Sequence, residues 1–157
     1  MILWIDSLAK VEYQFWGLSM ANSQSSTKII CIEDEMEMIE LIKLILIRRG
    51  YTFFGAGSGE QGLSLIRDTK PDLVLLDLMM PGGIDGWGVY QQMKADPDLQ
   101  DIPVIIITAK AQNIDKILGL HIAKVNDYIT KPFSPGELLQ SIEAVLGSPE
   151  ALRPNHS

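Results

Sequence analysis

The strongest constraint on the fold is an alternation that begins at Lys28. KIICIE, YTFFGAG, DLVLLD, PVIIIT and DYIT are short apolar runs of the length of buried strands. Segments with helical length and spacing follow each of them: EMEMIELIKLILIRR, SGEQGLSLIRDT, WGVYQQMKAD, QNIDKILGLHI and SPGELLQSIEAVLG. Gly50 supplies a stop for the first helix, Ser58 and Ser134 stand as N-caps, and Pro135 suits a first helical position. Five strands alternating with five helices predict an α/β fold, a parallel sheet covered on both faces. Right-handed crossovers with one change of winding direction make that sheet doubly wound, with its ligand site beyond the carboxyl ends of the strands.

Chemistry gathers at those ends. The first strand finishes in Glu33-Asp34, the third in Asp77, the fourth in Thr108, and the fifth leads to Lys131. Asp77 closes the apolar run LVLL, where a carboxylate is costly to desolvate unless something pairs with it. Three carboxylates brought together repel one another unless a cation joins them. A hard oxygen cluster with room for water suits magnesium better than an all-protein calcium cage. Two histidines and one cysteine in no shared motif give no zinc site. With Lys131 and Thr108 added, the set meets the needs of phosphoryl transfer: charge neutralisation, a hydroxyl for a phosphoryl oxygen, and Asp77 as nucleophile. SGEQG and PGGIDG lack the GxxxxGK[ST] pattern, so ATP is not expected as a direct donor.

IEDE, LLDLMMPG, IIITA and DYITKPF, in this order and each at a predicted strand end, make the chain resemble the receiver domain of two-component response regulators. The resemblance covers roughly residues 27–147 and implies a flavodoxin-like sheet of strand order 2-1-3-4-5. It implies that Asp77 accepts a phosphoryl group from a histidine kinase or histidine phosphotransfer protein. Asp34 would hold Mg²⁺ directly and Glu33 mostly through water, with the Met79 backbone carbonyl as a further ligand. Lys131 would contact the phosphoryl group and be joined to Pro132 by a cis peptide, which X-Pro bonds permit at a cost of only about 0.5–1 kcal/mol. Thr108 and Tyr128 would form the switch, Thr108 swinging toward the phosphate and Tyr128 turning inward. That movement would remodel the face built by QNIDKILGLHI, DYIT and the last helix for a downstream protein target. The resemblance leaves room for a phosphorylation-dependent dimer. Two rivals are a degenerate receiver that only binds, and a haloacid-dehalogenase-like phosphatase. The latter wants a DxD, where this chain has Asp77-Leu78-Met79.

The first helix is apolar on two sides. Met38, Leu41, Ile42 and Ile45 are expected to face the sheet, leaving Met36 and Ile39 among the groups for partner docking. MMPGGIDGW carries one residue more than the family's usual spacing, which predicts a bulged turn. Lys124-Val125 replaces the family's usual Gly-Ala pair before DYITKPF. Residues 27–148 form the expected receiver domain and 149–157 a loose polar tail. Residues 1–26 are an extension in which Trp4, Leu8, Val11, Phe15 and Leu18 make one apolar stripe if helical; alternatively Met20 is the true start. With 13 basic against 20 acidic residues and no basic cluster, the chain is a poor partner for nucleic acid. No run reaches the ~18 apolar residues of a membrane span, and the single Cys31, expected to be a buried hydrophobe, fits a reducing cytoplasm. His121 and His156 are expected at the surface without a role.

Overall fold

The computed structural model describes residues 26–109 and 125–147. Five strands, β1 (Lys28–Ile32), β2 (Thr52–Ala56), β3 (Leu73–Asp77), β4 (Val104–Thr108) and β5 (Asp127–Thr130), form one sheet in the order β2-β1-β3-β4-β5. Every neighbouring pair is parallel. The described helices are α1 (Met36–Arg48), α2 (Gly59–Thr69), α3 (Gly86–Ala95) and α4 (Pro135–Leu146). The expected doubly wound fold is therefore borne out. QNIDKILGLHI, Lys124, His121, His156, the N-terminal stripe and the tail lie outside the described residues.

Strand alternation divides the core into two layers. Ile30 and Ile32 of β1 join Val74 and Leu76 of β3 on one face, beneath Leu63 and Ile66 of α2 and Val89 and Met93 of α3. Ile29 and Cys31 join Leu73 and Leu75 on the other, beneath Ile42 and Leu46 of α1 and Leu138 and Ile142 of α4. Both faces being covered is what makes β3 and β4 buried throughout and apolar up to their last residues, rather than alternating. Cys31 is buried and free, as expected.

Local chemistry sets the helix starts. The Ser58 hydroxyl accepts the Gln61 amide, and the Asp85 carboxylate accepts that of Gly88. Ser134 and Glu137 form a complete capping box, with Pro135 in the first turn. In the turn after β3 the backbone is left-handed at Gly82 (φ 75°) and Gly83 (φ 53°).

Helix α1 requires two corrections. Ile39, expected as a docking residue, is 6% exposed, and Leu41, expected in the core, is 45% exposed. The buried row is Ile39, Ile42 and Leu46, with Met38 and Ile45 only partly buried. The physical reason lies on β2. Gly55 has no side chain, and a Cβ there would lie 2.8 Å from Ile39 Cγ2, so Ile39 fills the space that the glycine leaves.

Two glycines separate backbone crowding from free space. A Cβ on Gly86 would fall 1.9 Å from the Asp77 carbonyl oxygen and 2.7 Å from Leu78 Cα, whereas one on Gly136 meets nothing nearer than Ser134 Oγ at 3.8 Å. In urea unfolding, Gly86→Ala is expected to lose about 3 kcal/mol, because backbone cannot yield as a side chain does. Gly136→Ala should gain about 0.5–1 kcal/mol from helix propensity.

Candidate functional site

Register brings the site together. Asp77 pairs with Ile107 and Thr108 with Thr130, so β3, β4 and β5 end at one edge of the sheet. Glu33 and Asp34 follow β1 at the same edge, and the Lys131 amide donates to the Thr108 carbonyl at 2.8 Å. Carboxylate oxygens of Glu33, Asp34 and Asp77 all lie within 4.8 Å of one another. Glu33 and Asp77 are buried and Asp34 is exposed, so the cluster has two inner walls and one open side.

Lys131 binds both inner acids. Its Nζ lies 2.5 Å from Glu33 Oε2 and 3.4 Å from Asp77 Oδ2. The other oxygen of each carboxylate takes a backbone amide: Glu35 N–H donates to Glu33 Oε1 at 3.2 Å, and Met79 N–H to Asp77 Oδ1 at 3.0 Å. Burial pushes the Glu33 carboxyl up to about 7, against the opposing pull of the Lys131 and Glu35 hydrogen bonds; Asp77's charge adds to the rise. Burial also acts to lower the Lys131 ammonium, but Glu33 and Asp77 together outweigh it and hold the group above its ordinary value. The Cys31 thiol beneath the cluster is pushed up by burial and by the Glu33 charge, so it is an inert thiol.

The remaining predicted residues take distinct positions. Thr108 is fully buried, and among the described residues nothing hydrogen-bonds its hydroxyl. Tyr128, in register with Ile106, is 46% exposed. Met79 is 53% exposed beside the cluster, and Met36 is exposed at the start of α1. Ile39 is absent from any surface, as described above. The Lys131-Pro132 peptide is cis.

One feature escaped the reading of strand ends. The loop leaving Asp77 is tied to α2, because Glu60 Oε1 accepts the Ile84 amide at 2.9 Å. A Cβ on Gly59 would strike the Ile84 carbonyl at 2.3 Å, and one on Gly83 would strike Glu60 Oε1 at 2.3 Å. The extra glycine of PGGIDG was the only signal of this tether.

Residues 29–143 match the response regulator receiver domain family. The chain belongs to that family. Over 118 residues it is 42% identical to the phosphate regulon transcriptional regulatory protein PhoB of Pseudomonas aeruginosa, covering 75% of this chain and 51% of that one. It is similar to the receiver domain of a Pseudomonas aeruginosa sensor histidine kinase, solved with a magnesium ion coordinated in the active site cleft. That likeness has TM-score 0.70 and 27% identity, and covers 79% of this chain and 100% of the other. The chemotaxis protein CheY4 of Vibrio cholerae shares the fold at TM-score 0.70 and 20% identity, covering 78% and 100%. The chain spans about half the length of the curated relatives it matches. Receiver domains are phosphoacceptors of two-component signal transduction rather than enzymes of ordinary turnover.

The raised Glu33 carboxyl has a sign that can be measured. A carboxyl that holds its proton more tightly when folded contributes stability below its unfolded pKa and loses it as pH rises through the folded value. In the absence of divalent cations, the protein is expected to lose stability from about pH 4.5 to about pH 7. Glu33→Gln should flatten that slope in denaturant titrations at successive pH values.

Proposed function

We propose that this receiver domain accepts a phosphoryl group on Asp77 from a phosphohistidine of a histidine kinase or histidine phosphotransfer protein. The observation that carries the reading is the bridging ammonium, Lys131 Nζ, held between Glu33 and Asp77 at the edge where Asp34 opens to solvent. In this reading an Asp77 carboxylate oxygen forms a bond to phosphorus as the bond from phosphorus to the donor imidazole nitrogen breaks. Lys131 then has a phosphoryl oxygen to neutralise, and the buried Thr108 hydroxyl has an oxygen to which it can donate.

The donor set fits magnesium. Glu33, Asp34 and Asp77 supply hard oxygens within 4.8 Å of one another, and the open side leaves room for water. Asp34 and Asp77 would hold the ion directly, Glu33 mostly through water, and the Met79 carbonyl would complete the protein ligands. Bound there, Mg²⁺ would supply charge neutralisation for the transferring group. Met79 N–H fixes one oxygen of Asp77, which orients the carboxylate before any transfer.

Signalling would follow from Thr108 and Tyr128. A new dianion on Asp77 draws the Thr108 hydroxyl, and the exposed Tyr128 ring turns in behind it, changing the β5 and α4 surface for a protein partner. That readout suits a response regulator acting by protein contact. Among the described residues no helix is long and apolar enough to cross a membrane. Met36 remains as a docking residue for the phosphodonor.

Incubation with acetyl phosphate and Mg²⁺ should add the mass of one phosphoryl group to the wild-type chain and nothing to Asp77→Asn. No mass gain, under conditions that label a known receiver, would overturn the reading. Because Mg²⁺ competes with the proton on Glu33, Mg²⁺ affinity should fall up to about tenfold per pH unit below about pH 7. Isothermal titration at pH 6 and pH 8 checks this.

A further inference from the structure

Six large apolar side chains stand exposed among the described residues, and four of them, Met36, Leu41, Leu44 and Ile47, belong to α1. Met36, Leu44 and Ile47 recur at steps of eight and three, which places them within about 80° of one another on the helix circumference. Leu41 flanks them on the side of the half-buried Ile45. This stripe faces away from Ile39, Ile42 and Leu46, which pack on the sheet. A helix of 13 residues with apolar groups on both sides has a second surface to cover.

We propose that this outer stripe of α1 is the docking site of the chain's own N-terminal segment, residues 4–18. The described chain enters beside the end of α1. Thr52 N–H donates to the Thr27 carbonyl at 2.9 Å and the Ser26 and Thr52 hydroxyls meet, and Thr52 lies only four residues after Arg48 closes the helix. The described chain therefore begins, at Ser26, beside the closing end of α1. Trp4, Leu8, Val11, Phe15 and Leu18 repeat at four- and three-residue steps, the pattern of a helix with one apolar seam. Fifteen residues as a helix are about 22 Å long, against about 20 Å for α1, so the two stripes match in length. The seven residues 19–25 can extend about 23–25 Å, enough to place the seam anywhere along α1.

Tethering favours this occupant over others. A short flexible linker holds its segment at an effective concentration in the millimolar range, well above that of a free partner or second copy in dilute solution. The docked segment would cover Leu44 and Ile47 and reach toward Met36. On the reading that a phosphodonor docks at Met36, it would have to move aside for that donor. The docking itself does not depend on Asp77 chemistry.

The test uses the full chain with Phe15 replaced by photoreactive benzoylphenylalanine, irradiated in dilute solution and mapped by peptide mass spectrometry. The expected product is a cross-link within one chain, to the peptide carrying Leu41, Leu44 and Ile47. Leu44→Glu should reduce its yield by roughly tenfold or more, since a carboxylate under an apolar cover is costly to desolvate. Ile47→Lys should act alike, and both side chains are more than half exposed, so neither change disturbs the core. Asp77→Asn should give the wild-type yield, which separates this result from any failure to phosphorylate. A product of doubled mass would assign the stripe to a second copy and overturn the proposal. Adducts elsewhere in the chain, no adduct, or a yield unmoved by both α1 substitutions would overturn it equally.

Discussion

The Lys131 ammonium between Glu33 and Asp77 is the contact on which the rest of the edge depends. Both carboxylates are buried, and either one alone would be an uncompensated charge against an apolar sheet. The lysine reaches them from the far side of β4. Neighbouring strands lie about 4.8 Å apart, so β5 runs about 10 Å from β3 and about 14 Å from β1. Only a long, flexible cation leaving just beyond the end of β5 can span that gap, and the Lys131 backbone is fixed there by its bond to Thr108. Strand order, register and side-chain length are therefore one problem with one solution.

The same contact leaves the cluster unbalanced. One ammonium faces three carboxylates, and the structure resolves the excess by leaving Asp34 in solvent and raising the Glu33 carboxyl. A site so arranged gains from a further cation and from a group that carries phosphoryl oxygens to Lys131. Rigidity comes from the loop after β3. Met79 N–H binds Asp77 at one end, Glu60 holds Ile84 near the other, and Gly86 lets α3 start against the Asp77 carbonyl. The carboxylate therefore sits between anchored backbone on both sides, as a preorganised acceptor requires.

Most of the fold and the acid cluster were legible because strand ends are marked twice, by the break in apolar pattern and by the charge that causes it. Glu33, Asp34, Asp77, Thr108 and Lys131 each stand at such a break, and all five converge at one edge. Helix α1 was not legible in phase. Its sequence is apolar at Met36, Met38, Ile39, Leu41, Ile42, Leu44, Ile45, Leu46 and Ile47, so several rotations satisfy the pattern equally. The absence of a side chain at Gly55, on another element, selected the rotation that buries Ile39. Sequence periodicity holds no information about such a partner. The Glu60 tether was hidden for the same reason, being a contact between a helix start and a loop 24 residues away.

Thr108 joins these observations to the behaviour expected of a switch. Its hydroxyl is buried among groups of which none described bonds to it, and such an unmet donor costs about 1–3 kcal/mol. A phosphoryl oxygen on Asp77 would recover that energy only in the phosphorylated state, so the gain acts as a differential between two states rather than as uniform stability. Thr108 closes β4, opposite Thr130 of β5, and the exposed Tyr128 lies two residues earlier on the same strand. A bias of this size shifts a two-state equilibrium by roughly five- to 150-fold, which is within the range that ligand switches use. On the proposed reading, the Thr108 hydroxyl, unmet among the described residues, is the reserve from which the β5 surface is moved.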